Sequence, residues 1–171
     1  LNGAVCIPSR AALHTGCQIF RACPPTAAQP LPGGCVLNPA IPTLGETFRR
    51  AGYHTHLIGK WHNDTASLQR SFASGAEIFL GGMANPWTIR VRDYDPTGKY
   101  PDTATRTGPR HATELFGDAA CQFLRDYRED RPFFLYVAFT APHDPRTTLP
   151  QYHARYRPAQ IPLPANFMPA H

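Results

Sequence analysis

The sequence predicts an α/β fold, with a central sheet flanked by helices. Three observations point there. A helix–glycine–strand run spans 43–59, and a longer helix followed by an apolar run spans 112–139. Prolines crowd 24–42, 86–109 and 142–169 but are absent from 43–85, which separates regular elements from long shaped loops. At 171 residues and 42% hydrophobic composition, the chain is long and apolar enough for one ordinary domain with a sizeable core.

Each element has a local reason. Cys6-Ile-Pro-Ser-Arg10 leads into Ala-Ala-Leu-His-Thr, which reads as a helix stopped by Gly16. Residues 17–42 read as a Pro/Gly-rich loop. Thr43-Leu-Gly-Glu46 has the capping-box pattern, and the helix it opens ends at Gly52. Tyr53 to Ile58 reads as a strand that Gly59 stops. Glu77 to Leu80 reads as a short strand, and Asp93 to Gly98 as turns. Leu115, Phe116, Ala119, Ala120, Phe123, Leu124 and Tyr127 recur at helical spacing over 112–128. Cys121 falls on the apolar side of that helix and is expected in the core. Phe133 to Phe139 is continuously apolar, as expected of a strand in the middle of a covered sheet. Ala141-Pro-His-Asp-Pro145 then leaves the sheet edge. Sites in such folds gather at the carboxyl ends of the strands, and Lys60 and His143 each lie just past one. No internal boundary divides 1–171.

Composition excludes some functions. The net charge of +5 comes from scattered arginines, with no basic-aromatic stripe, so no nucleic-acid partner is expected. No apolar stretch approaches the roughly 20 residues of a membrane span. The chain starts at Leu1 and closes on Pro-Ala-His, so both ends read as truncations. Cys23 and Cys35 bracket a loop and are read either as a disulfide or as two thiols.

A cysteine before a helix is a buried structural thiol, a low-pKa nucleophile or a modified residue. Cys6-x-Pro-Ser-Arg10 followed by Leu13-x-Thr-Gly16 resembles the signature of the type I, formylglycine-dependent sulfatases of the alkaline-phosphatase-like superfamily. Gly59-Lys-Trp-His62 and Ala141-Pro-His143 resemble two further segments of that family, in the family's order. The resemblance implies part of an N-terminal catalytic sulfatase domain over 1–171, with an alkaline-phosphatase-like sandwich incomplete at both ends. It implies a sulfuric ester hydrolase acting on a sulfated carbohydrate or related small molecule.

The same resemblance implies the site. Cys6 would be oxidised to formylglycine by the formylglycine-generating enzyme, whose hydrate attacks sulfur. Arg10 would hold that group, and Lys60 would bind a sulfate oxygen. His62 would act as the base that expels sulfate, and His143 would protonate the leaving alcohol. Fixed cations aimed at developing negative charge lower such a barrier, and histidines suit the proton transfers. A divalent cation, calcium, is implied, with Cys6 as formylglycine its one contact here and its remaining ligands expected outside the chain. Asp64, Asp93 and Asp95 read as turn or surface residues. A periplasmic or secreted location is implied as well.

The sequence departs from the family pattern at His14, where leucine is frequent, at Cys17, where arginine is frequent, and at Asn63-Asp64. The metal's carboxylates and a second sulfate-binding lysine after His143 are missing, so the chain alone is expected to be inactive. Arg90, Arg92, Arg106 and Arg110 are read either as contacts to an acidic sugar or as surface residues. Rival functions are a phosphonate or phosphate monoester hydrolase of the same superfamily, an inactive carbohydrate-binding remnant, and thiol catalysis by Cys6 with His62 or His143.

Overall fold

A computed structural model describes residues 5–25 and 35–169. The middle of the expected Pro/Gly loop and the extreme ends of the chain fall outside them. The elements run α1 (Cys6–Thr15), α2 (Ile19–Ala22), α3 (Leu44–Arg50), β1 (His54–Lys60), α4 (Thr65–Ser71) and β2 (Ser74–Phe79). They continue with β3 (Arg90–Val91), β4 (Arg106–Thr107), α5 (Ala112–Asp126), β5 (Phe133–Ala138) and α6 (Pro150–His153).

Three strands form a parallel sheet in the order β2-β1-β5. Parallel neighbours require crossovers. Helix α4 links β1 to β2, and α5 links the excursion after β2 to β5. Successive side chains of a strand face opposite ways. Leu57 therefore enters a core with Ala11, Trp61, Leu68 and Phe72, while Ile58 enters a second core with Phe79, Leu115 and Phe116. Both faces of β1 are covered, which is why its residues read as buried without alternation.

The capping box forms as the sequence predicts: Glu46 N–H donates to Thr43 Oγ1 at 3.1 Å, and Thr43 N–H donates to Glu46 Oε2 at 2.8 Å. Gly16 and Gly52 hold left-handed backbone at φ 66° and 87°. Cys23 and Cys35 are joined as a disulfide and buried.

Several expectations change. Gly59 does not stop β1. It carries the strand on to Lys60 at φ 86°, with a register shift between Ile58 and Lys60. A Cβ there would lie 2.3 Å from the Ala138 carbonyl oxygen, so the glycine is required by close approach of β5. Strand β2 begins three residues earlier than expected. The central strand is β1, and β5 lies at the side of the sheet, only partly buried because its second edge has no partner among the described residues. Cys121 and Leu124 are exposed, because α5 turns Ala112, Leu115 and Phe116 inward and leaves the rest of its apolar stripe at the margin. Helix α2 lies inside the segment that reads as a Pro/Gly-rich loop, and α4 and the ribbon of β3 with β4 have no pattern in the sequence long enough to mark them. Asp64 is no surface residue: it caps α4 by accepting from Ser67 N–H at 2.7 Å and also accepts from Leu37 N–H at 2.9 Å.

Candidate active site

Cys6 opens α1, Lys60 closes β1, and His143 lies in the turn that follows β5. Because β1 and β5 run parallel with Gly59 opposite Ala138, their carboxyl ends bring Lys60, His62 and His143 to one edge. Helix α1 is held to that edge by Arg10, which lies one turn beyond Cys6. Its Nη1 donates to the Lys60 carbonyl at 2.8 Å and to Tyr136 Oη at 3.4 Å.

Lys60 is 1% exposed, and its ammonium donates to the Gly82 carbonyl at 2.5 Å. Burial lowers its pKa below the usual lysine value. The Cys6 sulfur opposes that shift by its charge and a hydrogen bond, and the Arg10 charge adds to it. The His62 pKa is lowered to about 4, first by burial and then by the charges of Lys60, Arg10 and His143. The residues that the sequence singles out therefore share one electrostatic environment. His62 is neutral at ordinary pH, and its buried Nδ1 has no hydrogen-bond partner among the described residues.

The backbone at His62 is left-handed, φ 58°, which is uncommon outside glycine and clusters at functional sites. Gly82 leaves room for the imidazole: a Cβ on it would lie 2.7 Å from His62 Cε1 and Nε2. Its carbonyl meanwhile holds Lys60. Tyr136 is the single hydroxyl in the apolar run of β5. Neither residue carries a signal in the sequence for these tasks, since both depend on which strands become neighbours.

His143 is half-buried, its Nδ1 lies 3.1 Å from the Asp144 carbonyl oxygen, and its N–H donates to Thr140 O at 3.0 Å. It lines a cavity of about 240 Å³ with Gly82, Pro86, Thr140 and Arg146. A second recess, of about 290 Å³, is lined by Cys6, Ser9, Arg10, Leu13 and Tyr136. Three of the four arginines considered as sugar contacts are already engaged. Arg92 donates to the Tyr100 carbonyl and to Thr105, Arg106 pairs with Glu77 and Asp93, and Arg110 pairs with Asp118. Among the described residues, no group of three or more His, Cys, Asp or Glu side chains is placed to hold a metal ion.

The sulfatase family model matches residues 1–167. The chain belongs to the sulfatase family. Arylsulfatase from Klebsiella aerogenes is 28% identical over 135 residues, covering 71% of this chain and 28% of that protein. Human N-acetylgalactosamine-6-sulfatase is 28% identical over 163 residues, covering 82% of this chain and 31% of that protein. A solved structure of a protein in complex with its substrate D-glucosamine-2-N,6-O-disulfate superposes with a TM-score of 0.71 at 23% identity, covering 96% of this chain and 30% of that one. The sulfatase chain thus spans less than a third of the length of these relatives. The superposition supports the alkaline-phosphatase-like fold that the resemblance implies.

Proposed function

We propose that the full protein hydrolyses sulfate esters of a saccharide through a formylglycine at position 6. One observation carries the reading: a buried lysine and a neutral histidine meet Cys6 and Arg10 at the carboxyl end of β1, where an ester oxyanion needs fixed positive charge. Oxidised and hydrated, position 6 supplies a geminal diol, one hydroxyl for attack on sulfur and one whose deprotonation releases sulfate. Lys60 binds a sulfate oxygen. A bound anion raises the lowered His62 pKa, so that imidazole takes up the proton. His143, at the mouth of the neighbouring cavity, gives a proton to the departing alcohol. Arg10 fixes α1, and with it position 6, against the end of β1.

Family membership implies a divalent cation, calcium by resemblance. The described residues offer no complete ligand set for it, and the roles assigned to Lys60, His62 and His143 do not pass through it. The Cys6-to-Arg10 segment is the expected recognition element for a formylglycine-generating enzyme. The disulfide between Cys23 and Cys35 supports an oxidising compartment, periplasmic or secreted. No helix among the described residues is long and apolar enough to cross a membrane. The saccharide substrate rests on relatives named for N-acetylgalactosamine 6-sulfate and glucosamine disulfate.

Turnover of an aryl sulfate and an aryl phosphonate by the full-length protein tests the reaction. The sulfate ester is expected to have the larger kcat/KM. Faster phosphonate cleavage would assign the site to the phosphonate hydrolases instead.

A further inference from the structure

The loop that carries His143 has little to hold it in place. Ala138 is buried at the end of β5, and Leu149 is the next buried residue; everything from 139 to 148 is exposed or half-buried. Most hydrogen bonds of 140–148 stay inside the loop. His143 N–H donates to Thr140 O, Thr147 N–H to Pro145 O and Arg146 Nε–H to Asp144, and His143 Nδ1 faces Asp144 O. Among the described residues, one bond leaves that segment: His111 Nε2 lies 3.4 Å from the Thr147 carbonyl oxygen. His111 is 3% exposed, and it lines the same cavity as His143.

We infer that His111 is a positioning residue for the proton donor: its Nε2–H, on Thr147 O, sets where the loop presents His143 to the leaving alcohol. The inference rests on the role given to His143 above. A neutral imidazole carries one donor and one acceptor, and its partners decide which nitrogen is which. His111 is the N-cap of α5, and its Nδ1 accepts from Thr113 N–H at 3.3 Å. The proton is therefore on Nε2, the nitrogen that faces the Thr147 carbonyl. One tautomer serves both bonds, so the helix cap itself prepares the donor that holds the loop.

The base of this strut is rigid. Trp87 meets the His111 ring edge to face, with centroids 4.9 Å apart, and Ala112 N–H donates to Pro86 O at 2.7 Å. The first turns of α5 bury Ala112, Leu115 and Phe116. A Cβ on Gly59 would lie 3.1 Å from Phe116 Cδ2, so α5 sits close on the end of β1 that supplies Lys60 and His62. His111 thus refers His143 to the same strand end as the groups that hold the sulfate. Both of its bonds are long for N–H donors, so their value is in position more than in stability. Position is what proton transfer needs, since a displacement of 1 Å costs on the order of 10²-fold.

Two substitutions in the full-length, formylglycine-bearing protein separate the two bonds. His111→Asn keeps an acceptor for the Thr113 amide but ends short of Thr147 O. His111→Gln restores a donor of that reach and gives up the cap. Each is assayed on 4-nitrophenyl sulfate, whose phenolate departs without a proton, and on N-acetylgalactosamine 6-sulfate, whose alkoxide needs one. His111→Asn should melt as the wild type does and lose about 10-fold in kcat/KM on the sugar sulfate, but less than about threefold on the aryl sulfate. His111→Gln should recover most of the loss on the sugar sulfate. Added to His143→Gln, His111→Asn should cost nothing further. Equal losses on the two esters, or a full additional loss in the His143→Gln background, would overturn the inference and leave His111 a helix cap. Hydrogen exchange over 140–149 needs no turnover: it should quicken in His111→Asn while α5 stays protected, and unchanged exchange would equally overturn the inference. Wild-type protein that cleaves phosphonates in preference to sulfates would overturn the sulfatase reading alone, and the same pair of leaving groups then tests His111 on phosphonate esters.

Discussion

Replacing Gly82 with alanine probes the site without touching any charged residue. The added Cβ would lie 2.7 Å from His62 Cε1 and Nε2, where ordinary contacts begin near 3.4 Å. The imidazole must retreat by about 0.7 Å. It cannot do so by an easy backbone adjustment, because His62 already sits at φ 58° and follows the fully buried Trp61. The Gly82 carbonyl is retained, so Lys60 keeps its partner. Misplacement of a catalytic group by 1 Å costs on the order of 10²-fold in rate, and His62 acts after the alcohol has left, so a loss of about 10- to 100-fold in kcat is expected. Steady-state kinetics on a chromogenic aryl sulfate, beside a thermal melt to confirm folding, gives the answer. A folded Gly82→Ala protein within about threefold of wild-type kcat would refute the placement of His62 in the proton transfer.

Other expectations follow from the same geometry. On the acid side, kcat should fall with a midpoint above pH 4, because His62, lowered to about 4 in the empty site, is raised by the bound sulfate on which it acts as base; a midpoint unchanged in His62→Gln would exclude that assignment. His14 is 1% exposed between Trp61 and Tyr136, both its nitrogens lack partners among the described residues, and its pKa is lowered to about 4, first by burial and then by Arg10. The unfolded chain takes up this proton near pH 6.5 and the folded chain only near pH 4, so stability falls as pH drops through that window, by on the order of 3 kcal/mol at most. His14→Leu should flatten that fall and add about 1 kcal/mol at pH 7, seen in urea unfolding; equal pH slopes would contradict it. Gly59→Ala should cost at least about 3 kcal/mol, from left-handed strain plus collision with Ala138 O; an unchanged melting temperature would overturn the close approach of β1 and β5.

What the sequence made legible was what local chemistry encodes. The Thr43–Glu46 box, the apolar face of α5 and the strand ahead of Lys60 each depend on residues a few positions apart. Gly59 was misread because one glycine signal serves both a strand end and a strand that must pass close to its neighbour. Cys121 and Leu124 were misplaced because periodicity gives the direction of an apolar stripe but not the width of what covers it. Helix α4 is seven residues long, and its Asp64 cap has the local pattern of a surface turn; what distinguishes it is the bond from Leu37 N–H, 27 positions away. At the site, Cys6, Arg10, Lys60, His62 and His143 stand in recognisable segments. Gly82 and Tyr136 do not, since one contributes empty space and a carbonyl and the other a hydroxyl on a neighbouring strand.

The chemical identity of residue 6 decides the reaction. The most direct measurement is the mass of the tryptic peptide carrying it, from full-length protein made in a host with the modifying enzyme. A formylglycine at position 6 gives a peptide that has lost the thiol mass, resists alkylation and reacts with a hydrazide. A peptide that is fully alkylated at Cys6 and inert to hydrazide would contradict it.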